Sequence, residues 1–321
     1  MTNDEFLAEF EVDNPPSGVS FSPCYQNIPA VPANLVLEGG GMRALFTAGV
    51  LDYFLDKGLL FDTVIGVSGG ALSGYNYVAG LKNRTAYLNI KYAPDPRYLS
   101  LKSYRISGNA FNREVSFNLL PNHIEPMDYD AFDHSPMSLV AVVSNLETGE
   151  AEYPLVLDSR NDLPYVIASS SMPLVSEIVE KDGKKLLDGG VCDSIPIGYS
   201  LPTTNNHPVV ICTRPEEYVR KPNPLMALVN LMYHDYPYFV ERMAQRHYDY
   251  NRTTRALTRM HERGQCFVIR PAKAVEVSNM ENDQSKLLDL YEQGVKAAAQ
   301  SYDGLLSYLN GPGNEGLAES F

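Results

Sequence analysis

Thr63-Val64-Ile65-Gly66-Val67-Ser68-Gly69-Gly70-Ala71-Leu72 reads as a β-branched strand, a sharp turn with serine at its apex and the first turn of a helix. Gly66-Val67-Ser68-Gly69-Gly70 fits the pattern G-x-S-x-G, in which side chains two before and two after the serine would collide across the turn. Glycine removes those Cβ atoms. The serine oxygen then stands clear of the sheet, over a helix N-terminus whose free N–H groups favour negative charge. That geometry suits a nucleophile. Yet the five-residue pattern arises by chance in roughly one chain in ten of this length at ordinary glycine and serine frequencies. A glycine-rich turn with an incidental serine reads the same way, so the neighbouring segments decide.

Upstream, Asn34-Leu35-Val36-Leu37-Glu38 is a short buried strand that runs into Gly39-Gly40-Gly41 and then a helix over 42–55, stopped at Gly58. Strand, glycine turn and helix repeat at 63–80, and a β-α-β-α run implies a parallel sheet with helices packed on it. Between Tyr87 and His134 the periodicity is lost among tyrosine, asparagine and proline, which predicts irregular, pocket-lining chain. Ser138–Ser144 is the strongest strand signal. A turn at 147–150 leads into 151–157, and Val175–Glu180 with Lys184–Leu187 reads as a hairpin around Lys181-Asp182-Gly183. The chain leaves that hairpin at Asp188-Gly189-Gly190. Further on come a strand at 209–213, a short helix at 225–233, a long helix from Pro237 to about Arg263, a strand at 267–269 and a helix over 282–309. These divide the chain into an N-terminal arm (1–32), a main α/β domain (33–271) and a C-terminal helical segment packed on it (272–321). The arm carries five prolines and no lysine or arginine, and reads as chain laid across the body or partly disordered.

Three glycine-flanked sites each follow a predicted strand: Gly39-Gly40-Gly41, Ser68 and Asp188. In parallel α/β sheets the strand C-termini share one edge, where ligands bind. Each site also has a plain reading: Gly39–Gly41 as a tight turn or a phosphate loop, Asp188-Gly189 as a common turn.

Taken together, Glu38-Gly39-Gly40-Gly41-Met42-Arg43, Gly66-Val67-Ser68-Gly69-Gly70, and Asp188-Gly189-Gly190 followed by Asp193-Ser194-Ile195-Pro196 resemble the patatin-like phospholipase family, in particular its bacterial members. The resemblance covers roughly residues 33–215 and departs at Ala44, where the family more often has glycine. It implies a three-layer α/β/α fold with a mainly parallel central sheet and a Ser-Asp dyad lipid acyl hydrolase. By that resemblance Ser68 is the nucleophile, Asp188 the base and the run Gly39, Gly40, Gly41 the oxyanion hole, with Gly66, Gly69 and Gly70 forming the elbow. The chemistry agrees with it: attack on an ester carbonyl needs a proton acceptor within hydrogen-bond reach and donors for the developing oxyanion. The amides of Gly40 and Gly41 offer such donors, each worth roughly 3–4 kcal/mol. An aspartate with an ordinary pKa of about 3.9 is a weak base, so Asp188 needs burial or a bond shared with Ser68. Arg43 has two readings, support of the glycine loop or of an anionic substrate on one side, a plain surface position on the other.

Two rivals are weighed against this. A Ser-His-Asp triad in the order Ser, Asp, His would draw on His207, His234, His247 or His261, none of which sits in a glycine-flanked loop after a strand. A dinucleotide site would use Gly39-x-Gly41-x-x-Ala44, but the acid Asp62 opens the second strand where that fold needs it to close. The arginines of helix 238–263 read either as a lipid-headgroup patch or, more simply, as a solvated face with salt bridges.

Composition narrows the partners. With 26 Lys+Arg against 39 Asp+Glu the net charge is −13, which disfavours nucleic acid and constitutive adhesion to anionic membrane and leaves transient lipid contact open. Cys24, Cys192, Cys212 and Cys266 are too widely spaced for a zinc site and read as buried thiols in a reducing compartment. The acidic start lacks the apolar core of a secretory signal, and no apolar run nears the ~20 residues of a membrane span. The expectation is a cytoplasmic hydrolase of lipid or acyl-ester substrates that uses no metal or cofactor. Its oligomeric state is not fixed by the sequence.

Overall fold

The computed structural model describes residues 2–25, 28–201 and 207–311. Nine strands join in one sheet among them: β1 (Val31–Leu37), β2 (Phe61–Val67), β3 (Ser138–Asn145), β4 (Ala151–Glu152), β5 (Leu155–Val156), β6 (Val179–Lys181), β7 (Lys184–Asp188), β8 (Val209–Ile211) and β9 (Phe267–Ile269). The order across the sheet is β6-β7-β3-β2-β1-β8-β9, with β4 and β5 paired to β3. From β3 to β9 all neighbours run parallel.

The central strands read as continuous apolar runs because both faces are covered, as parallel sheets require. Alternate residues go to opposite sides. Leu35, Leu37, Val64 and Leu139 pack on one face with helices Ala44–Asp56, Gly69–Val78 and Gln284–Leu309. Val36, Ile65, Val67 and Val140 pack on the other with Tyr250 and Leu257 of helix Pro237–Glu262. The result is the three-layer α/β/α fold with a mainly parallel sheet.

Helix Gln284–Leu309 lies directly on helix Ala44–Asp56, and glycines set the spacing. A methyl group on Gly294 would fall 2.1 Å from the Phe46 carbonyl oxygen, and one on Gly49 2.1 Å from that of Tyr291. The last ten residues of the predicted C-terminal segment, 312–321, lie outside the described residues.

Four expectations change. The arm contains a helix, Asn3–Asp13, opened by a capping box at Thr2 and Glu5 and anchored by buried Phe6 and Phe10; residues 26 and 27 of the arm lie outside the described residues. The region expected to be irregular, 87–134, is largely helical: Arg84–Tyr92, Leu101–Ser107, a wide π-helix Val115–Ile124 that accommodates Pro121, and Tyr129–Asp133. Its periodicity is masked because polar groups are buried inside it. Glu125, fully buried, accepts from Lys91 (2.6 Å), Tyr92 (2.8 Å), Tyr87 (3.0 Å) and Ser17 (2.6 Å). Strand β7 is antiparallel to β3. And Cys24 is exposed, on the proline-rich arm, whereas Cys192, Cys212 and Cys266 are buried.

Because the helix pair closes backbone to backbone, Gly294→Leu should destabilise the protein by about 1–3 kcal/mol or more, read as a lowered urea midpoint. A midpoint equal to wild type would show that the two helices do not pack this closely.

Candidate active site

Ser68 stands at the apex between β2 and helix Gly69–Val78 with φ 54° and ψ −123°, a backbone conformation that L-residues rarely adopt. The turn closes because its flanks have no side chains: a Cβ on Gly66 would lie 2.6 Å from Ala71 Cα, and one on Gly70 2.7 Å from the Leu37 oxygen. The Ser68 amide donates to Ser169 Oγ at 2.9 Å, which ties the elbow to helix Leu163–Ser169.

Asp188 reaches the same rim from a strand that points the other way. β7 overlaps only the last three residues of β3, pairing Asn145 with Leu186 and Val143 with Asp188. It therefore starts beyond the C-terminal edge of the parallel strands and stops on arriving there. The Asp188 amide donates to the Ser171 oxygen (2.9 Å), and its own carbonyl accepts from Ser144 Oγ (2.8 Å). Ser68 Oγ donates to Asp188 Oδ2 at 2.6 Å, and Oδ1 accepts the Gly190 amide at 2.7 Å. Burial pushes the Asp188 carboxyl above the usual aspartate range, opposed by the charge of Arg246 and by the bonds from Ser68 and Gly190. Among the described residues no histidine hydrogen-bonds Ser68 or Asp188.

The glycine run closes the third side. Gly41 takes φ +54°, and a Cβ there would meet the Asn279 carbonyl oxygen at 2.7 Å. No described group accepts the Gly40 or Gly41 amide, while Gly39 donates to the Ser194 oxygen at 3.4 Å. The three glycines are thus not equivalent. Arg43 is buried rather than at the surface, because its guanidinium is turned inward to donate to the Val277 carbonyl (3.2 Å) and to Asn279 Oδ1. Its contacts hold segment 277–279 against the glycine loop, and Met42 donates its amide to the Asn279 oxygen at 3.2 Å. Just before the loop, Glu38 is buried and accepts from the Thr213 amide (2.6 Å) and the Tyr250 hydroxyl (2.7 Å). Asp62 stays at the opposite end, the second residue of β2.

Ser68 opens onto two unlike cavities. One is apolar, bounded near the serine by Leu45, Leu72, Leu99 and Met172, and continues past Phe111 to Leu88, Leu120 and Met127. The tyrosine-rich stretch expected to line a pocket does so here. The other is polar and holds Asp188, Arg43, Arg220, Lys221, Arg246 and His247. The sequence reading weighs His247 only as a triad candidate and Arg246 only within the arginine run of its helix, and does not single out Arg220. The signal for Arg246 was present in the helical spacing: it lies three residues after Met243 and four before Tyr250, both buried, so it shares their inward face. By contrast Arg242 and Arg252 pair with Asp249 at 3.5 and 3.1 Å, a salt-bridged outer face.

A patatin-like phospholipase family model matches residues 35–201, which include the glycine loop, Ser68 and Asp188. A second model, of a domain of unknown function (DUF6363), matches residues 236–310. The chain is 27% identical over 218 residues to "Uncharacterized protein YjjU" of Escherichia coli (strain K12), a match that covers 62% of this chain and spans 60% of that relative's length. With just over half of its residues inside the first match, the chain belongs to the patatin-like phospholipase family.

Proposed function

We propose that this protein is a serine acyl hydrolase that cleaves carboxylic esters of lipids through Ser68 and Asp188. The observation that carries the reading is the 2.6 Å bond from Ser68 Oγ to a buried carboxylate, at a strained elbow beside two amides that no described group accepts. In this reading Asp188 takes the Ser68 proton as Oγ attacks the ester carbonyl, and the amides of Gly40 and Gly41 receive the oxyanion. Collapse breaks the bond to the alcohol, which leaves with the proton from Asp188 and gives an acyl-Ser68 ester. Water then attacks that ester, Asp188 accepts its proton, and the fatty acid departs as Ser68 Oγ regains a hydrogen. The apolar cavity suits the acyl chain. The exposed side chains Leu225, Leu228, Leu231 and Met232, on and beside the helix Met226–Met232 that begins at the polar cleft, suit approach to a lipid surface.

Ser68→Ala and Asp188→Asn should each lower kcat on a long-chain ester by about 10³-fold or more, with circular dichroism and melting temperature close to wild type. A correctly folded variant within tenfold of wild type would reject the assignment of that residue. The base must be ionised, so kcat/KM should rise with pH through an apparent pKa above the ordinary aspartate value, and Arg246→Met should move that limb higher by removing a cation that favours the carboxylate. An acid limb at or below the ordinary value would contradict the buried carboxylate as base. Leu72→Trp, filling the apolar cavity, should lower kcat/KM for chains of twelve carbons or more by about tenfold relative to butyrate esters. An unchanged chain-length profile would place the acyl group elsewhere.

A further inference from the structure

Helix Pro237–Glu262 lies outside the patatin-like match, yet Arg246 on it lines the polar cleft with Ser68 and Asp188. A methyl group on Gly190 would sit 3.0 Å from Arg246 Nη2 and 3.0 Å from Asp188 Oδ1, so the two charges flank that glycine. They are nonetheless not paired: Arg246 forms no ion pair or hydrogen bond with any described residue, and its buried Nε has no partner. Arg220 faces the same space. Its guanidinium lies 4.3 Å over the Tyr250 ring, its backbone is fastened both ways to Asn251 (2.8 and 3.0 Å), and its buried Nε is likewise without a partner. The Nδ1 of His247, next along the helix, is a third such atom.

The charge balance is lopsided. Arg43, Arg220, Lys221 and Arg246 line the cleft, and Asp188 is the one acid among the described lining residues. Arg43 is already engaged with Val277 and Asn279. Burial and the neighbouring Arg220 push the Arg246 guanidinium down to about 10, still cationic at neutral pH. In a chain of net charge −13, counter-ions were available, and Arg242 and Arg252 of the same helix have one in Asp249. Arg220 and Arg246 are both half-buried with a buried, unpartnered Nε, and neighbouring cations held this way without a counter-ion in contact are costly to maintain. Arginine forks aimed into one cleft match the geometry of a tetrahedral oxyanion.

We propose that Arg246 and Arg220 form an anion subsite that binds a phosphate group beside Ser68. It is supplied by the part of the chain outside the patatin-like match. Where that phosphate belongs to the substrate, the proposal rests on the acyl-ester reading above and makes the pair a specificity determinant for phosphorylated esters. The same chemistry would also hold free phosphate.

The test uses the full chain in two arms. Binding of glycerol 3-phosphate and of inorganic phosphate to Ser68→Ala protein, followed by calorimetry, needs no catalysis. Millimolar or tighter binding is expected, weakened at least tenfold by Arg220→Gln and by Arg246→Gln and unaltered by Arg252→Gln. Kinetics on a chain-matched pair, a monoacylglycerol and its phosphate monoester, form the second arm. The wild-type protein should favour the phosphorylated ester by about tenfold in kcat/KM, and either Arg220→Gln or Arg246→Gln should collapse that ratio. Binding of both anions without a kinetic preference would support the subsite with free phosphate as its ligand. Absent binding together with equal rates on both esters would overturn the subsite while leaving the hydrolase reading intact. Binding by Ser68→Ala protein with no cleavage of either ester by wild type would support the subsite and reject the hydrolase.

Discussion

One short contact, Ser68 Oγ to Asp188 Oδ2 at 2.6 Å, sets the terms for everything around it. Its two ends are 120 residues apart in sequence and arrive on strands of opposite direction, so neither can shift without losing the other. Ser68 is held at positive φ, a conformation that costs of order 1–3 kcal/mol and persists only where surrounding structure imposes it. The imposing groups are identifiable. Ser169 accepts its amide, glycines on either side remove the clashes, and the parallel strands β1, β2 and β3 form a rigid rim beneath. Asp188 is fixed as firmly, through Ser171 and Ser144 on its backbone and Gly190 on its carboxylate.

Much of this was legible in the sequence because it depends on local rules. Strand, glycine turn and helix at 34–55 and again at 63–80 specify a parallel sheet, and the G-x-S-x-G spacing specifies the elbow. Asp188 shares the rim with Ser68 for a reason that the parallel-strand premise does not supply. β7 runs antiparallel, and it meets the rim because its overlap with β3 is only three residues long. The region 87–134 was opaque for a different reason. Its helices bury tyrosines and the Glu125 carboxylate in a hydrogen-bonded cluster, so the alternation of apolar and polar residues that reveals a helix is absent. Arg246 is hidden among the five arginines of its helix. Only the apolar stripe of Phe239, Met243, Tyr250 and Leu257 singles it out as the inward one.

The C-terminal third is part of the site's construction. Tyr250 donates to Glu38 at the foot of the glycine loop. Asn279 covers Gly41 and accepts the Met42 amide. Helix Gln284–Leu309 braces the helix that follows the loop, with Gly294 against Phe46. Ser68 and Asp188 come from the part of the chain inside the patatin-like match, and Arg220, Lys221 and Arg246, which line the cleft with them, come from outside it. On the proposed acyl-hydrolase reading, that division separates the groups that act on the ester from the cationic wall that sets what else the cleft accepts.

The most direct measurement is where a fluorophosphonate attaches. Phosphorus mimics the tetrahedral carbon of the acyl intermediate, and only a hydroxyl activated by a base and facing oxyanion donors reacts quickly. Intact mass followed by peptide mapping should show a single adduct, on Ser68. A stable protein that stays unlabelled, or that carries its label on another serine, would contradict the account.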